Sequence, residues 1–307
     1  MKILLAKPRG FCAGVNMAIT TLDAALERFG VPVYVYHEIV HNTWVVDDFR
    51  RKGAVFVDHL EEVPDGATLL FSAHGVAPDI RRSAESRGLR TIDATCPLVN
   101  KVHGAVIRFA AEGYQVVLLG HARHDEIVGI MGEAPGIITL IEQIGEIDDL
   151  RFEPDEKLAY LTQTTISMHE ARSMIDRLRE RFPNIIGPPA SSICFATQNR
   201  QEAVRRLAPE VDLVMVIGSN NSSNSRRLAE IAEEVNVCSY QVDGPNDIAC
   251  GWFSGNETVL MTAGASAPEH IVRACIDILV ARFGATVEER IIREENVRFQ
   301  LPKELRE

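Results

Sequence analysis

A strand, a cysteine-bearing turn and a helix follow one another three times in this sequence, and this recurrence constrains the fold more than any other feature. The turns contain Cys12, Cys96 and Cys194, so successive cysteines are 84 and 98 residues apart. Between the turns, short apolar segments alternate with segments that carry apolar residues at helical spacing. Strands that alternate with helices through short loops are typical of parallel sheets with crossover helices. The sequence therefore predicts an α/β protein built of similar parallel-sheet domains.

The spacing of the cysteine turns predicts three such domains and two shorter terminal segments. The 307 residues are about twice the length of a usual single domain. A fourth cysteine turn is missing at the end of the third domain, so the N-terminal strand is expected to complete that domain. The predicted boundaries are 14–96 for the first α/β unit, 97–193 for the second, 194–287 for the third, 1–13 for the strand that joins the third, and 288–307 for a charged C-terminal tail.

Composition excludes several classes of partner. The formal charge of -11 at pH 7 leaves no overall positive field for a nucleic acid or an anionic membrane surface. No apolar run approaches the roughly 20 residues of a membrane span, and the first residues do not form a charged leader. We therefore expect a cytoplasmic protein that binds neither nucleic acid nor membrane. In that compartment the 6 cysteines are expected to be reduced thiols or metal ligands.

Polar side chains collect at the carboxyl ends of the predicted strands. Open parallel sheets bind their ligands at this edge, so these side chains are expected to surround one site. Their shared position after the strands is the strongest evidence in the residue pattern for a functional site. The positions are Cys12, His41, His74, Cys96, His124, Glu126, Thr164, Thr165, Cys194, Ser222, Ser223, Asn224 and Ser266.

The three turn cysteines are predicted to converge on one metal centre. Each opens a helix, where unpaired amide groups and the helix dipole favour the thiolate that binds metal. Three thiolates without a fourth suit either an iron-sulfur cluster with one open iron or a zinc site with an exchangeable ligand. A cysteine is also a small hydrophobe that packs in cores. We expect this simpler role for Cys238 and Cys275, and the pattern leaves Cys250 undecided.

Histidine and hydroxyl side chains at the strand ends are candidate donors to an anion. His41, His74 and His124 carry protonatable rings at the tips of apolar strands. Neutral donors at 222–224 and at Ser266 suit a phosphate group, as helix N-termini do. The run GSNNSSNS is equally typical of a solvated turn with a helix cap. The residue pattern leaves both interpretations open.

Six short motifs, in order along the chain, resemble the 4-hydroxy-3-methylbut-2-enyl diphosphate reductase family. This family catalyses the last step of the methylerythritol phosphate route to isoprenoids, and the resemblance extends from about residue 1 to 280. The motifs are RGFCAGV around Cys12, ATCP around Cys96, GHARHDE ending at Glu126, TQTT at 162–165, NSSNS at 221–225 and GASAPE at 264–269.

The resemblance implies an architecture, a cofactor and site residues. Its fold would be three α/β domains in a pseudo-threefold trefoil around a central 4Fe-4S cluster, with Cys12, Cys96 and Cys194 as ligands and one open iron. Glu126, Thr164 and His124 would be catalytic; Glu126 would be the proton source, and Thr164 would position the substrate hydroxyl or a water. Substrate-binding residues would be His41, His74, His124, Thr164, Thr165, Ser222, Ser223, Asn224 and Ser266.

The implied reaction is reductive dehydroxylation to isopentenyl and dimethylallyl diphosphate. No GxGxxG follows the first strand, so a bound nicotinamide is not indicated and a ferredoxin or flavodoxin is the expected electron donor. Two positions depart from the family pattern: Asn16-Met17 replaces the usual Asp-Arg, and Asn220 stands where Lys is frequent. The lost charges are expected to affect reduction potential or donor preference more than the reaction. The alternatives are a zinc hydrolase with three cysteine ligands and a non-catalytic iron-sulfur or anion-binding protein.

Overall fold

Three sheets of parallel strands, flanked by helices, form the framework of the computed structural model, which describes residues 1–153, 155–189 and 191–306. The strands are β1 (Lys2–Lys7), β2 (Val33–Tyr36), β3 (Ala54–Val57), β4 (Thr68–Phe71), β5 (Arg90–Asp93), β6 (Tyr114–Leu119), β7 (Ile138–Ile141), β8 (Lys157–Thr162), β9 (Leu213–Ile217), β10 (Cys238–Val242), β11 (Thr258–Ala263) and β12 (Thr286–Ile291). The helices are α1 (Ala13–Phe29), α2 (Thr43–Lys52), α3 (Pro78–Ser86), α4 (Pro97–Ala111), α5 (Asp125–Met131), α6 (Met168–Arg181), α7 (Phe195–Leu207), α8 (Ser223–Glu234) and α9 (Glu269–Phe283). The predicted α/β class with several parallel sheets is confirmed.

The chain divides into two compact units, which we call unit A and unit B. Unit A contains Met1–Asn16, Val40–Asp48 and Phe195–Arg298. Unit B contains Met17–Ile39, Phe49–Cys194 and the residues from Phe299 onward. The boundaries of the three predicted domains, and their trefoil arrangement, stay predictions.

Unit A is built on a five-stranded sheet with the order β10-β9-β11-β1-β12, in which every neighbouring pair is parallel. Successive residues of β1 pack on opposite faces: Ile3 and Leu5 join the core under α9, whereas Leu4 and Ala6 join the core under α7 and α8. A strand covered on both faces needs apolar residues at every position. This explains the uninterrupted LVMVI of β9. The charged β12 is tolerated because it lies at the sheet edge.

Unit B contains a four-stranded sheet, β3-β2-β4-β5, and a three-stranded sheet, β7-β6-β8, again with parallel pairs. In β6, Val116 and Leu118 pack with α4 and α5, whereas Val117 and Leu119 pack with α6. The four-stranded sheet packs against α3 through a core that includes Leu69. Within the described ranges, no helix has the length and apolarity that crossing a membrane requires.

The six cysteines fall into three structural settings. Helices α1, α4 and α7 begin directly after Cys12, Cys96 and Cys194, as predicted from the turns. Cys275 is fully buried in the core under α9, as expected. The prediction that Cys238 is buried was wrong, because it is the first residue of the edge strand β10 and is exposed. Cys250 is also exposed.

Candidate functional site

The Cys96 turn of unit B is held by backbone hydrogen bonds at the end of β5. The Cys96 amide donates to the carbonyl of Ala73 (3.0 Å), and the Cys96 carbonyl accepts from the Asn100 amide (3.0 Å) as α4 begins. Pro97 occupies the first helical position, where its missing N–H is not needed. Because Ala73 precedes His74, one hydrogen bond joins the Cys96 turn to the histidine turn after β4.

A buried carboxylate is hydrogen bonded to Thr164 in the same unit. Glu126 is only 1% exposed. Its Oε1 accepts from the Thr164 amide (2.8 Å), and its Oε2 lies 2.7 Å from Thr164 Oγ1, which donates to it. The Thr164 carbonyl in turn accepts from the Cys194 amide (3.1 Å). A chain of hydrogen bonds therefore connects the predicted acid, Glu126, through the predicted positioning residue, Thr164, to the predicted metal ligand, Cys194. The short distance between Glu126 Oε2 and Thr164 Oγ1 is suited to proton transfer.

His124 caps the helix that carries Glu126, and this contact determines its tautomer. Its Nδ1 accepts from the Glu126 amide (3.2 Å), so the neutral ring carries its proton on Nε2. The rings of His74 and His124 meet edge to face with centroids 5.7 Å apart. His74 Nδ1 lies 3.9 Å from Asp125 Oδ2. The structure thus brings the two histidines together and adds Asp125, an acidic neighbour that the sequence analysis did not identify.

Gln163 fixes the turn that holds Thr164 and Thr165. Its side chain is fully buried. Its Oε1 accepts from the His121 amide (3.0 Å), and its Nε2 donates to Thr165 Oγ1 (2.9 Å). Gln163 was not identified from the sequence, although its place inside TQTT, directly after β8, is a usable signal.

In unit A, the Cys12 turn is fixed against the loop between β11 and α9. The Cys12 amide donates to the Ala265 carbonyl (3.1 Å), and Cys12 Sγ accepts from the Val15 amide (3.5 Å) at the start of α1. Gly10 has a φ of 63°, and a Cβ there would come within 3.1 Å of the Ala267 carbonyl oxygen. Glycine is therefore required two residues before the cysteine.

The N-terminus of α8 contains a buried polar side chain that has no hydrogen-bond partner in the described part of the chain. Ser222 caps the helix, and its Oγ accepts from the amide (3.3 Å) and the hydroxyl (3.0 Å) of Ser225. Asn224 is 4% exposed, and neither its Oδ1 nor its Nδ2 has a hydrogen-bond partner among the described residues. Ser225 was not identified from the sequence. It packs so closely against Gly264 that a Cβ on that glycine would come within 2.0 Å of Ser225 Oγ. The helix cap was predicted. Within the run, Ser222, Asn224 and Ser225 are buried, whereas Asn220 and Asn221 are exposed.

His41 lies in a segment that is anchored to the loops after the strands of unit A. Ser266 Oγ donates to the His41 carbonyl (2.9 Å). The Thr43 amide donates to Ser219 Oγ (2.9 Å), whose hydroxyl donates to Asp243. None of Thr43, Ser219 and Asp243 was identified from the sequence. Ser223 is half-buried at the first position of α8.

The thiols at the three helix starts have the chemistry of metal ligands. Among the described residues, Cys12, Cys96 and Cys194 form no disulfide, and all three are partly buried. Amide groups and the dipole at a helix N-terminus stabilise a thiolate. By contrast, burial, with a smaller contribution from Asp247, raises the pKa of Cys275 to about 12, which keeps that thiol protonated. Cys12 belongs to unit A and the other two to unit B; their convergence on one centre stays a prediction.

Comparisons with known proteins agree on one family. The model of the LytB protein family matches residues 3–280. A 4-hydroxy-3-methylbut-2-enyl diphosphate reductase from Rhodopirellula baltica is 58% identical over 306 residues, covering 100% of this chain and 96% of the relative. A protein of the same name from Pseudomonas entomophila is 52% identical over 311 residues, covering 100% and 98%.

A solved structure also resembles the whole chain. The E-1-hydroxy-2-methyl-but-2-enyl-4-diphosphate reductase from Plasmodium falciparum superposes with a TM-score of 0.96 at 38% identity. The superposition covers 99% of this chain and 96% of that one. At this level of similarity the two proteins share their fold.

Proposed function

Because this chain belongs to the LytB protein family, we propose that it reduces 4-hydroxy-3-methylbut-2-enyl diphosphate to isopentenyl diphosphate and dimethylallyl diphosphate. The observation that carries the proposal is the buried Glu126–Thr164 pair, whose threonine carbonyl accepts from the amide of Cys194. A proton donor next to a metal ligand is what removal of a hydroxyl group requires. The reaction consumes two electrons and two protons, breaks the C–O bond, forms one C–H bond and releases water.

Cys12, Cys96 and Cys194 are proposed to hold a 4Fe-4S cluster. Their position at three helix starts fits this group, since helix N-termini stabilise thiolates and an anionic cluster. When bound, a cluster with three cysteine ligands supplies electrons one at a time and offers an open, Lewis-acidic iron to the substrate hydroxyl.

Glu126 is the proposed proton source. Its burial keeps bulk water from its Oε2, so protons pass to it through hydrogen-bonded groups such as the Thr164 hydroxyl, 2.7 Å away. His124 binds the amide of Glu126 through Nδ1 and so fixes the start of the helix that carries the acid. Thr164 positions the substrate hydroxyl or a water.

The diphosphate is proposed to bind the donors that follow the strands. Asn224 supports this assignment, because a buried amide whose Oδ1 and Nδ2 both lack partners is unfavourable unless a ligand supplies them. The Ser222 hydroxyl accepts both of its described hydrogen bonds, so its own proton is available to donate to a phosphate. Ser266 donates to His41, so its single proton must turn from that carbonyl to reach a phosphate. The remaining proposed donors are His41, His74, His124, Thr165 and Ser223.

The electrons are proposed to come from a one-electron donor protein, a ferredoxin or a flavodoxin. The first βα turn, PRGFCAGV, carries a cysteine in place of the glycine-rich nicotinamide fingerprint. A donor that delivers single electrons suits an iron-sulfur cluster.

The test is anaerobic turnover with a chemical low-potential reductant, combined with iron and sulfide analysis. We expect one 4Fe-4S cluster per chain and formation of both diphosphate products. Cys12→Ser, Cys96→Ser and Cys194→Ser should each lose cluster, whereas the matched Cys238→Ser, at an exposed thiol, should keep it. A colourless protein that carries zinc and forms no product would refute the proposal.

A further inference from the structure

Arg200 is a cation inside the core of unit A. It lies on α7, six residues after Cys194, and its exposed fraction is zero. Its Nη1 donates to the Ala196 carbonyl (2.9 Å), and its Nη2 donates to the Gly10 carbonyl (2.7 Å). Its buried Nε has no partner among the described residues. A buried charge of this kind is unfavourable unless a counter-ion is present.

The counter-ion is Glu295, in the segment that follows β12. Glu295 Oε1 and Oε2 lie 3.2 and 3.3 Å from Arg200 Nη1. Asn199 Nδ2 also donates to Glu295 Oε1 (2.9 Å), and the carboxylate is only 15% exposed. Three hydrogen bonds therefore fix Glu295 in one orientation. From the sequence, residues 288–307 were predicted only to form a charged tail.

Arg200 binds the turn that carries Cys12. The Gly10 and Cys12 amides donate to the carbonyls of Ala263 and Ala265, so the loop after β11 holds the donor groups of the turn. Arg200 binds the acceptor group of the same turn, which is the Gly10 carbonyl, two residues before Cys12. Without the guanidinium, this carbonyl has no described partner of comparable strength, and the turn is fixed on one side only.

We propose that Arg200 and Glu295 are positioning residues for Cys12, so that the segment around Glu295 controls how firmly the Cys12 thiolate holds its metal. Glu295 fixes Arg200, and Arg200 fixes the peptide carbonyl that sets the direction of the Cys12 turn. The identity of the metal group rests on the proposed function. The effect on the Cys12 thiol does not, because it follows from contacts within unit A.

The first test measures cluster retention in the full-length protein reconstituted with iron and sulfide under anaerobic conditions. We expect Glu295→Gln to lose visible absorbance to an iron chelator about tenfold faster than the parent protein, the size usual for residues that orient metal ligands. Glu295→Asp keeps the charge and should restore part of the retention. The matched control is Glu294→Gln, which removes an exposed carboxylate paired with Lys7 at 3.3 Å and should not change the rate.

The second test needs no cluster. Metal-free full-length protein is treated with iodoacetamide, and the alkylation rates of Cys12 and Cys96 are followed by mass spectrometry. The proposal expects Glu295→Gln and Glu295→Asp to change the Cys12 rate and to leave the Cys96 rate unchanged. Equal acceleration at both cysteines, the mark of general unfolding, would overturn it, as would an unchanged Cys12 rate. If the parent protein accepts no cluster, the proposed function fails, and the alkylation ratio still decides this inference.

Discussion

Replacing Thr164 by valine removes one hydrogen bond to a buried carboxylate and changes little else. Valine has nearly the shape of threonine, and the Thr164 amide still donates to Glu126 Oε1 at 2.8 Å. Glu126 Oε2 loses its 2.7 Å bond, and with 1% exposure of the residue, water cannot replace it. A hydrogen bond to a charged group contributes about 1.5–3 kcal/mol. The free energy of unfolding should fall by about that amount.

Urea unfolding of the metal-free protein, followed by circular dichroism, measures this difference. The matched variant, Thr164→Ser, keeps the hydroxyl and loses one methyl group, which costs about 1 kcal/mol. In the loaded enzyme, valine should also lower turnover more than serine does, because the same hydroxyl contacts the proposed proton source. If Thr164→Val is no less stable than Thr164→Ser, the hydroxyl does not stabilise Glu126, and the reasoning fails.

Three further outcomes are expected. Glu126→Gln should retain substrate binding and lose turnover by about 10² to 10⁴-fold; unchanged turnover would exclude it as the proton source. Asn224→Ala should barely change the unfolding free energy, because neither polar atom has a described partner, yet weaken pyrophosphate binding in calorimetry; equal affinity would remove Asn224 from the site. Hydrogen bonds, first from the Ser254 hydroxyl and then from backbone amides, lower the pKa of Glu257 to about 2 from 4.5. Glu257 therefore stabilises the fold above pH 4.5, and this advantage over Glu257→Gln should vanish as the pH falls towards 2; a gap that persists at pH 2 would contradict the assignment.

The fold could be predicted because the residues of its cores form local hydrophobic patterns in the sequence. Strands covered on both faces need continuous apolar runs, and LVMVI of β9 and the VVLL of β6 are such runs. Parallel pairing then places the residues after each strand at one edge of its sheet. The positions of Cys96, Glu126 and Thr164 after their strands therefore followed from hydrophobic pattern and turn position alone.

The polar contacts could not be predicted in the same way. Arg200 and Glu295 are 95 residues apart, and a charged residue on a helix is usually solvated, so nothing local marks Arg200 as buried. The contact between Thr43 and Ser219 spans 176 residues. Cys238 was wrongly predicted to be buried because VCSYQV indicates a strand but not the position of that strand in the sheet. Burial depends on whether the strand lies inside the sheet or at its edge. Hydrophobic periodicity indicates which face of a helix or strand is buried, but it does not indicate which other element covers that face.

The order of the five-stranded sheet also determines when the Cys12 turn can form during synthesis. Strand β1 lies between β11 and β12, so its two neighbours are residues 258–263 and 286–291. Strand β1 is therefore synthesised long before either neighbour and waits, without its sheet partners, until residues 258–291 have been made. Until then Cys12 has neither the loop after β11 nor Arg200 and Glu295 to hold it. The metal proposed for Cys12 would consequently be held firmly only after translation has passed these residues. A nascent chain that stalls earlier exposes an apolar strand and an unfixed Cys12 thiol together.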